Sequence, residues 1–462
     1  MKQVKRLLIV LSLVVAACGQ AADSATSSSE ASNEAAPRVT TTTSDTQTVR
    51  IQDCSTPPVT FSALCEVYEL VQAWHVDRPV SDAVLADVAL DGLRAHTPTE
   101  TEPRPRTLFC AVPTEDFTEF CNELASMVQE SEMAVGPAVE DAVTAMADLG
   151  LDPFTYYVPP DQAGSLRQNG LVEGVGILLD DTNSVGSKCA RVAETCPLEI
   201  VFVLKDNPGD EAGLLAGDQI VSVDGTPVEG QGFAAIATAI AGDQTGTVLI
   251  TVERDGESVK FEIERAPLAV PTVDVSVPLA NVGYLRIPDF EEDIAGLVDE
   301  ALTSLAEVSP EAIVVDLRDN PGGLLSTVVE VASQFIDGGT VLETNGPGEN
   351  LEYPAAAGGL ATTERLIVLV NRGTASAAEI LAGALRDERS ATIVGTTTFG
   401  KDAVQIPFEL RNGGELHVAV ARWSTPLGQT AGNGGLTPDR ELELPTEASV
   451  EDLVQTALDA AS

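Results

Sequence analysis

The sequence predicts a multidomain α/β protein, and three observations carry that expectation. The chain has 462 residues, more than one domain usually holds, and 44% are hydrophobic, enough for several cores. Along its second half, strand and helix periodicities alternate, from VGYLRIPDF at 282–290 through a helical run at 295–305 to the buried strand 312–317. Two regions of different pattern come first: amphipathic helices between Phe61 and His96, and a strand-rich unit punctuated by Asp-Gly turns at 224–225 and 255–256.

At the N-terminus Lys2, Lys5 and Arg6 precede an apolar run from Leu7 to Ala17, too short to span a bilayer, so residues 1–17 read as a signal peptide. The following Val15-Ala16-Ala17-Cys18 resembles a bacterial lipobox, which implies that Cys18 becomes a lipidated first residue; ordinary signal cleavage nearby is the alternative. Residues 18–49, rich in Ser, Thr, Ala and Glu, are expected to be a disordered tether. Seven cysteines less Cys18 leave Cys54, Cys65, Cys110, Cys121, Cys189 and Cys196, an even set suited to an oxidising compartment. Their order suggests three local loops, although fifteen connectivities remain open. Without CxxC spacing or a histidine close in sequence to any pair, they do not read as a zinc site.

The expected location is therefore extracytoplasmic, in a bacterial cell envelope, with the chain anchored to the membrane by lipid. A formal charge of −45 excludes nucleic acid as a natural partner and argues against a basic face on anionic lipid.

Leu64, Val67, Tyr68, Val71 and Trp74, then Val84, Leu85, Val88, Leu90 and Leu93, give two amphipathic helices broken near Pro79. Trp74 and His75 read as core and helix-surface residues. Residues 97–137, with Cys110 and Cys121, read as an insertion before a further helix at 138–149, completing an N-terminal helical region over 50–151. Strands are expected at 174–179, 199–204 and 219–223, helices at 212–215 and 233–241, and a closing strand pair around Asp255-Gly256. A linker is expected at 266–278.

The segment 371–405, NRGTASAAEILAGALRDERSATIVGTTTFGKDAVQ, reads as the catalytic one. Ser376 falls where an apolar strand, 366–370, turns into a helix, so its side chain can project free of the sheet beside unpartnered helical N–H groups. A serine hydroxyl needs a neighbouring base. Of the three histidines, His417 sits in the alternating strand LHVAVARW with no partner carboxylate suggested by the local pattern. Lys401 is the better candidate, the only one of six lysines after Lys260. Bringing an amine from ~10.4 to between about 7 and 8 takes roughly 3 units, about 4 kcal/mol, which burial beside Phe399 and Val404 can supply. Gln405 can orient the amine without adding charge.

Ser376, Lys401 twenty-five positions on, the turn TFGK and Gln405 together resemble the Ser–Lys–Gln site of the C-terminal processing (tail-specific) proteases. DPFTYYVPP at 152–160 resembles that family's junction into a PDZ domain, and NPGDEAGLLAGDQIVSVDGTPV at 207–228 the PDZ domain itself. DLRDNPGG at 316–323, the loop STPLGQTAGNGGLTPD and the helix at 450–460 resemble further family elements. The resemblance implies a PDZ domain over 152–268 and a crotonase-like α/β protease core over 269–462. It implies an oxyanion hole from the Gly322 and Ala377 N–H groups, substrates with free C-termini, adaptor proteins as partners, and no metal or other cofactor. In the PDZ unit Gly174, Val175, Gly176 and Ile177 are candidates for the loop that holds a peptide carboxylate.

Ala378 stands where a second serine is common, and Asp402 where glycine usually follows the lysine. A carboxylate beside a base favours its charged form, so the alternative function is an impaired scaffold that binds tails. A His417-dependent hydrolase acting on small acyl groups is a third reading.

Overall fold

The computed structural model describes residues 43–44, 47–97, 102, 105–131, 133–149, 151–152, 154–160, 171–172, 174–180, 191–204, 207–242, 246–268, 272–348, 350–432, 434–444 and 448–462. The expected signal peptide, Cys18 and Cys189 lie outside the described residues.

The N-terminal region comprises β1 (Thr43–Ser44), β2 (Gln47–Asp53), α1 (Ser62–Trp74), α2 (Asp82–Ala95), β3 (Thr107–Val112), α3 (Thr118–Glu130) and α4 (Val135–Leu149). Two expectations are corrected here. The end of the expected tether is strand, because β3 pairs with β2 in parallel from Thr48↔Thr107 to Asp53↔Val112. Residues 97–137 are no mere insertion: Cys110, Phe117, Phe120 and Leu124 are buried in one cluster with Leu64, Val67, Leu85 and Leu93. Disulfides Cys54–Cys65 and Cys110–Cys121 close two local loops, each with a separation of 11 residues, and Cys196 is also disulfide-bonded. Among the described residues no helix is long and apolar enough to cross a membrane.

After β4 (Tyr156–Val158) comes the strand-rich unit: β5 (Leu171–Val172), β6 (Ile177–Asp180), β7 (Leu198–Val203), α5 (Pro208–Ala212), β8 (Gln219–Val223), β9 (Thr226–Pro227), α6 (Phe233–Ala241), β10 (Thr247–Arg254) and β11 (Glu257–Glu264). Its strand order is β11-β10-β8-β7-β6-β5, with β9 on β8. The short helix begins earlier than expected, because Pro208 suits a first turn and Gly213 ends it in the left-handed region at φ 91°.

The C-terminal half contains β12 (Asp274–Leu279), β13 (Val282–Arg286), α7 (Ile294–Val308), β14 (Ala312–Asp316), α8 (Leu325–Phe335), β15 (Thr340–Asn345), β16 (Leu351–Pro354), β17 (Arg365–Val370), α9 (Ala377–Arg389), β18 (Thr392–Gly395), β19 (Ala403–Glu409), β20 (Glu415–Ser424), β21 (Arg440–Glu441) and α10 (Val450–Ala460). The main sheet runs β12-β13-β14-β17-β18-β21 and is parallel apart from β12. Successive strand residues face opposite ways. Ile313, Val315 and Val368 pack with α7, α8 and α9, whereas Val314, Ile367 and Leu369 pack with α10. Burial on both faces explains why these strands read as unbroken apolar runs.

An antiparallel sheet, β16-β15-β20-β19, holds β4 against β20, with Tyr156 opposite His417. Residues 156–158 thus belong to the sheet that carries Gln405, although the domain boundary was expected at 152. The expected linker also hides strand β12, whose edge position leaves Val275 and Val277 exposed.

Candidate active site

Ser376 caps α9 with φ 52° and ψ −116°, a conformation that costs a non-glycine residue about 1–3 kcal/mol and persists only when its surroundings impose it. They do. Thr374 Oγ1 donates to the Leu317 carbonyl at 2.8 Å, and the Ala375 N–H to the Asn320 carbonyl at 2.9 Å. The Ser376 N–H donates to Glu379 Oε2 at 2.8 Å.

Glu379 is fully buried and organises the site. The Lys401 N–H donates to the same Oε2 at 2.9 Å, so the Ser376 and Lys401 backbone nitrogens are no further apart than those two bonds allow. Thr398 Oγ1 and the Gly400 N–H donate to Oε1 at 2.5 and 2.8 Å. Burial pushes the Glu379 carboxyl up to about 7, against the pull of its hydrogen bonds from Thr398, Ser376, Gly400 and Lys401. Sequence reasoning missed Glu379, though the Ser-x-x-Glu spacing of a capping box was there to be read. It also missed Trp423, whose indole N–H donates to the Lys401 carbonyl at 2.9 Å.

Ser376, Ala377, Lys401 and Gln405 line one cavity of about 110 Å³, together with Gly323, Leu324, Leu325, Ile380, Ala403, Val404, Pro407, His417 and Trp423. The three residues expected to do the chemistry are therefore brought together by three different elements: the start of α9, the turn before β19, and β19 itself.

Gly322 is placed differently from expectation. Its N–H already donates to Asn320 Oδ1 at 2.9 Å. Its Cα abuts Ser376 so closely that a Cβ there would lie 2.8 Å from Ser376 Cβ, and its φ is 102°. Gly322 thus makes room for Ser376 while the asparagine side chain takes its donor. Gly323 lines the cavity instead, and among the described residues neither its N–H nor that of Ala377 has a partner. The Asn-Pro-Gly turn thus gives the first glycine amide a side-chain partner of its own.

Asp402 is turned away from the cavity. Its carboxylate accepts from Arg422 Nη1 at 3.1 Å and Thr430 Oγ1 at 3.2 Å, in space open only because residue 432 is glycine, whose Cβ would fall 2.1 Å from Oδ2. A guanidinium therefore faces the charge that motivated the scaffold alternative. His417 lines the cavity, its ring stacked on Tyr156 at 4.6 Å and its Nε2 3.3 Å from Glu415 Oε2, a partner two positions earlier on the same strand face.

In the strand-rich unit, Gly174, Val175 and Gly176 form the turn from β5 into Ile177 of β6, and all four residues are buried. The Ala266 N–H donates to the Gly174 carbonyl at 3.1 Å, and Arg265 Nε to the Ile240 carbonyl at 2.7 Å, which sets this turn beside the end of α6. The edge of β6 carries β5, with Val172 opposite Ile177.

Comparison with known proteins agrees with this architecture. The profile of Peptidase family S41 matches residues 281–442, and that of a PDZ domain matches 199–254. A carboxyl-terminal-processing protease of Synechocystis is 35% identical over 317 residues, spanning 66% of this chain and 72% of that protein. The carboxy-terminal processing protease CtpA of Bacillus subtilis is 30% identical over 316 residues, spanning 68% and 65%. The solved structure of a photosystem II D1 C-terminal processing protease superposes with a TM-score of 0.64 at 26% identity, covering 86% of this chain and 97% of that one. With its PDZ domain, its S41 core and these relatives, the chain belongs to peptidase family S41, the carboxyl-terminal-processing serine proteases.

Proposed function

We propose that the protein is a lipid-anchored endopeptidase of a bacterial cell envelope, which engages the free C-termini of protein substrates through its PDZ domain and cuts upstream of them. The observation that carries the chemistry is the meeting of Ser376, Lys401 and Gln405 on one cavity, with the first two hung by their amides on a single Glu379 oxygen. Ser376 Oγ attacks the peptide carbonyl while the neutral Lys401 amine takes its proton. The same nitrogen returns that proton to the leaving amine, and water then releases the acyl group by the reverse path. The Ala377 and Gly323 N–H groups hold the oxyanion, a fixed donor being worth about 2.7–4 kcal/mol. Leu324, Leu325, Ile380 and Val404 give the cavity an apolar wall suited to a substrate side chain of that character.

For the PDZ step, the Gly174–Ile177 turn supplies backbone N–H groups to the terminal carboxylate. A tail adding itself to β6 must displace β5, which occupies that edge. Adaptor proteins that deliver substrates fit the same arrangement.

The test is mass spectrometry of products from an unstructured peptide carrying either a free or an amidated C-terminus. Internal cleavage with a KM roughly 10-fold lower for the free carboxylate is expected, since a charge-assisted contact is worth about 1.5–3 kcal/mol. Equal KM values would remove the PDZ role, and binding without turnover would return the scaffold reading.

A second prediction concerns Glu379. Four donors converge on it, so the ionised, acceptor-only carboxylate is the form that accommodates them all, and Glu379→Gln turns an amide NH₂ into at least one of them. A loss in kcat of about 100-fold is expected from the misplaced Ser376 and Lys401 backbones. For stability the sign is opposite. The folded-state value of about 7 lies above the ordinary 4.5, so the folded form holds the proton more tightly and wild-type stability declines as pH rises from about 4.5 to about 7. The decline amounts to about 3 kcal/mol and is absent in Glu379→Gln. Denaturant unfolding of both proteins at pH 5 and pH 8 measures it.

A further inference from the structure

We propose that His75 and Asp152, which lie outside the cavity, are positioning residues for the reaction, acting through Phe154 and Thr155 to aim the Gln405 amide at Lys401. The inference rests on the reading of Gln405 as the group that orients the lysine.

The chain of contacts is continuous. The Asp77 N–H donates to His75 Nδ1 at 3.1 Å, so that nitrogen is the acceptor and Nε2 carries the hydrogen donated to Asp152 Oδ2 at 2.6 Å. Asp152 also accepts from Thr155 Oγ1 at 2.6 Å and from the Phe154 N–H at 2.7 Å. These bonds hold Phe154 and Thr155 against Asp152, and the Phe154 carbonyl accepts from Gln405 Nε2. A carbonyl only accepts, so the amide is oriented without ambiguity, and its Oε1 is left to receive a hydrogen bond from an amine. Burial pushes the Asp152 carboxyl up, but the hydrogen bonds from His75, Thr155 and Phe154 outweigh it and hold the group below the usual carboxylate range.

The same cluster grips the strand opposite Gln405. Gln405 faces Ala419 across β19 and β20. The Ala419 N–H donates to Thr155 Oγ1 at 3.0 Å, and its carbonyl accepts from the Val76 N–H at 2.8 Å. His75, Asp152 and Thr155 are at most 7% exposed, so water does not compete for these bonds. The N-terminal helical region thereby reaches a residue of the reactive cavity through its backbone register and its side chain at once. His75 ends α1, and the physical purpose of a buried histidine–carboxylate pair there is to brace Phe154 and Thr155.

The experiment is a double-mutant cycle on peptide cleavage by the full chain. Asp152→Asn sets an amide NH₂ either against the His75 Nε2–H and the Thr155 hydroxyl, which share Oδ2, or against the Phe154 N–H on Oδ1, and a fall in kcat of about 10- to 100-fold with KM within about 3-fold is expected. In a Gln405→Ala background the same change is expected to cost less than about 3-fold, because the group being aimed is gone. Thr155→Val, which keeps the shape while removing the hydroxyl, provides the same comparison if Asp152→Asn does not fold. Equal losses in both backgrounds would overturn the positioning role, even if Gln405→Ala alone is impaired. A Gln405→Ala enzyme of full activity would instead overturn the reading of Gln405 itself.

Discussion

Ser376→Ala is expected to lower kcat on an unstructured peptide by about 10⁶-fold, with KM changed little, since removing the nucleophile of a serine peptidase leaves only what oxyanion donors and substrate binding contribute. The fold should survive. Alanine occupies φ 52° and ψ −116° at no greater cost than serine, and although the capping bond from the Glu379 N–H to the Ser376 side chain is lost, the bonds of the Ser376 N–H, Thr374 and Ala375 that impose that geometry remain. Circular dichroism should therefore match wild type, with stability lowered by no more than the loss of one helix cap, about 0.5–2 kcal/mol, while product mass peaks disappear. Pure Ser376→Ala protein that still cleaves at the original rate would refute the nucleophile.

Lys401→Met is expected to cost about 10⁴-fold in kcat, the upper range for a positioned general base, and to abolish the rise in rate that accompanies deprotonation of an amine. Methionine keeps most of the length of the stem but has no proton acceptor of comparable strength. The backbone of residue 401 should stay where it is, because its N–H is bound to Glu379 and its carbonyl to Trp423. The competing base on the same cavity is His417. His417→Gln supplies the discriminating comparison: a variant that loses activity as Lys401→Met keeps it would move the proton transfer from the amine to the imidazole. The expected result is the reverse, since the His417 ring is stacked on Tyr156 and its Nε2 is directed at Glu415.

Several errors of sequence reading share one cause, that edge and bridging segments carry no apolar period. Strand β12 looked like a linker because Val275 and Val277 point to solvent from a sheet edge. Residues 156–158 looked like the entry to a PDZ domain, whereas their partner strand lies more than 250 residues away in sequence. Residues 107–130 lacked a function on paper because the core they complete is assembled with α1, α2 and α4.

By itself the sequence determined the segments whose information is local. The helices α6 and α10 and the strand β8 follow from apolar periodicity and turn residues, the two Asp-Gly turns from the left-handed conformations those residues tolerate, and the grouping of Ser376, Lys401 and Gln405 from the family resemblance that their motif carries. Only the tertiary structure decided which polar groups remain free and which are spent. It turned Asp402 toward Arg422, gave the Gly322 amide to Asn320, hung Ser376 and Lys401 on Glu379, and joined His75 to Gln405 through Asp152. A hydrogen bond depends on distance and direction between groups that the chain brings together from afar, and a buried donor or acceptor must find such a partner. Residue type announces the capacity for that bond, and packing chooses the partner.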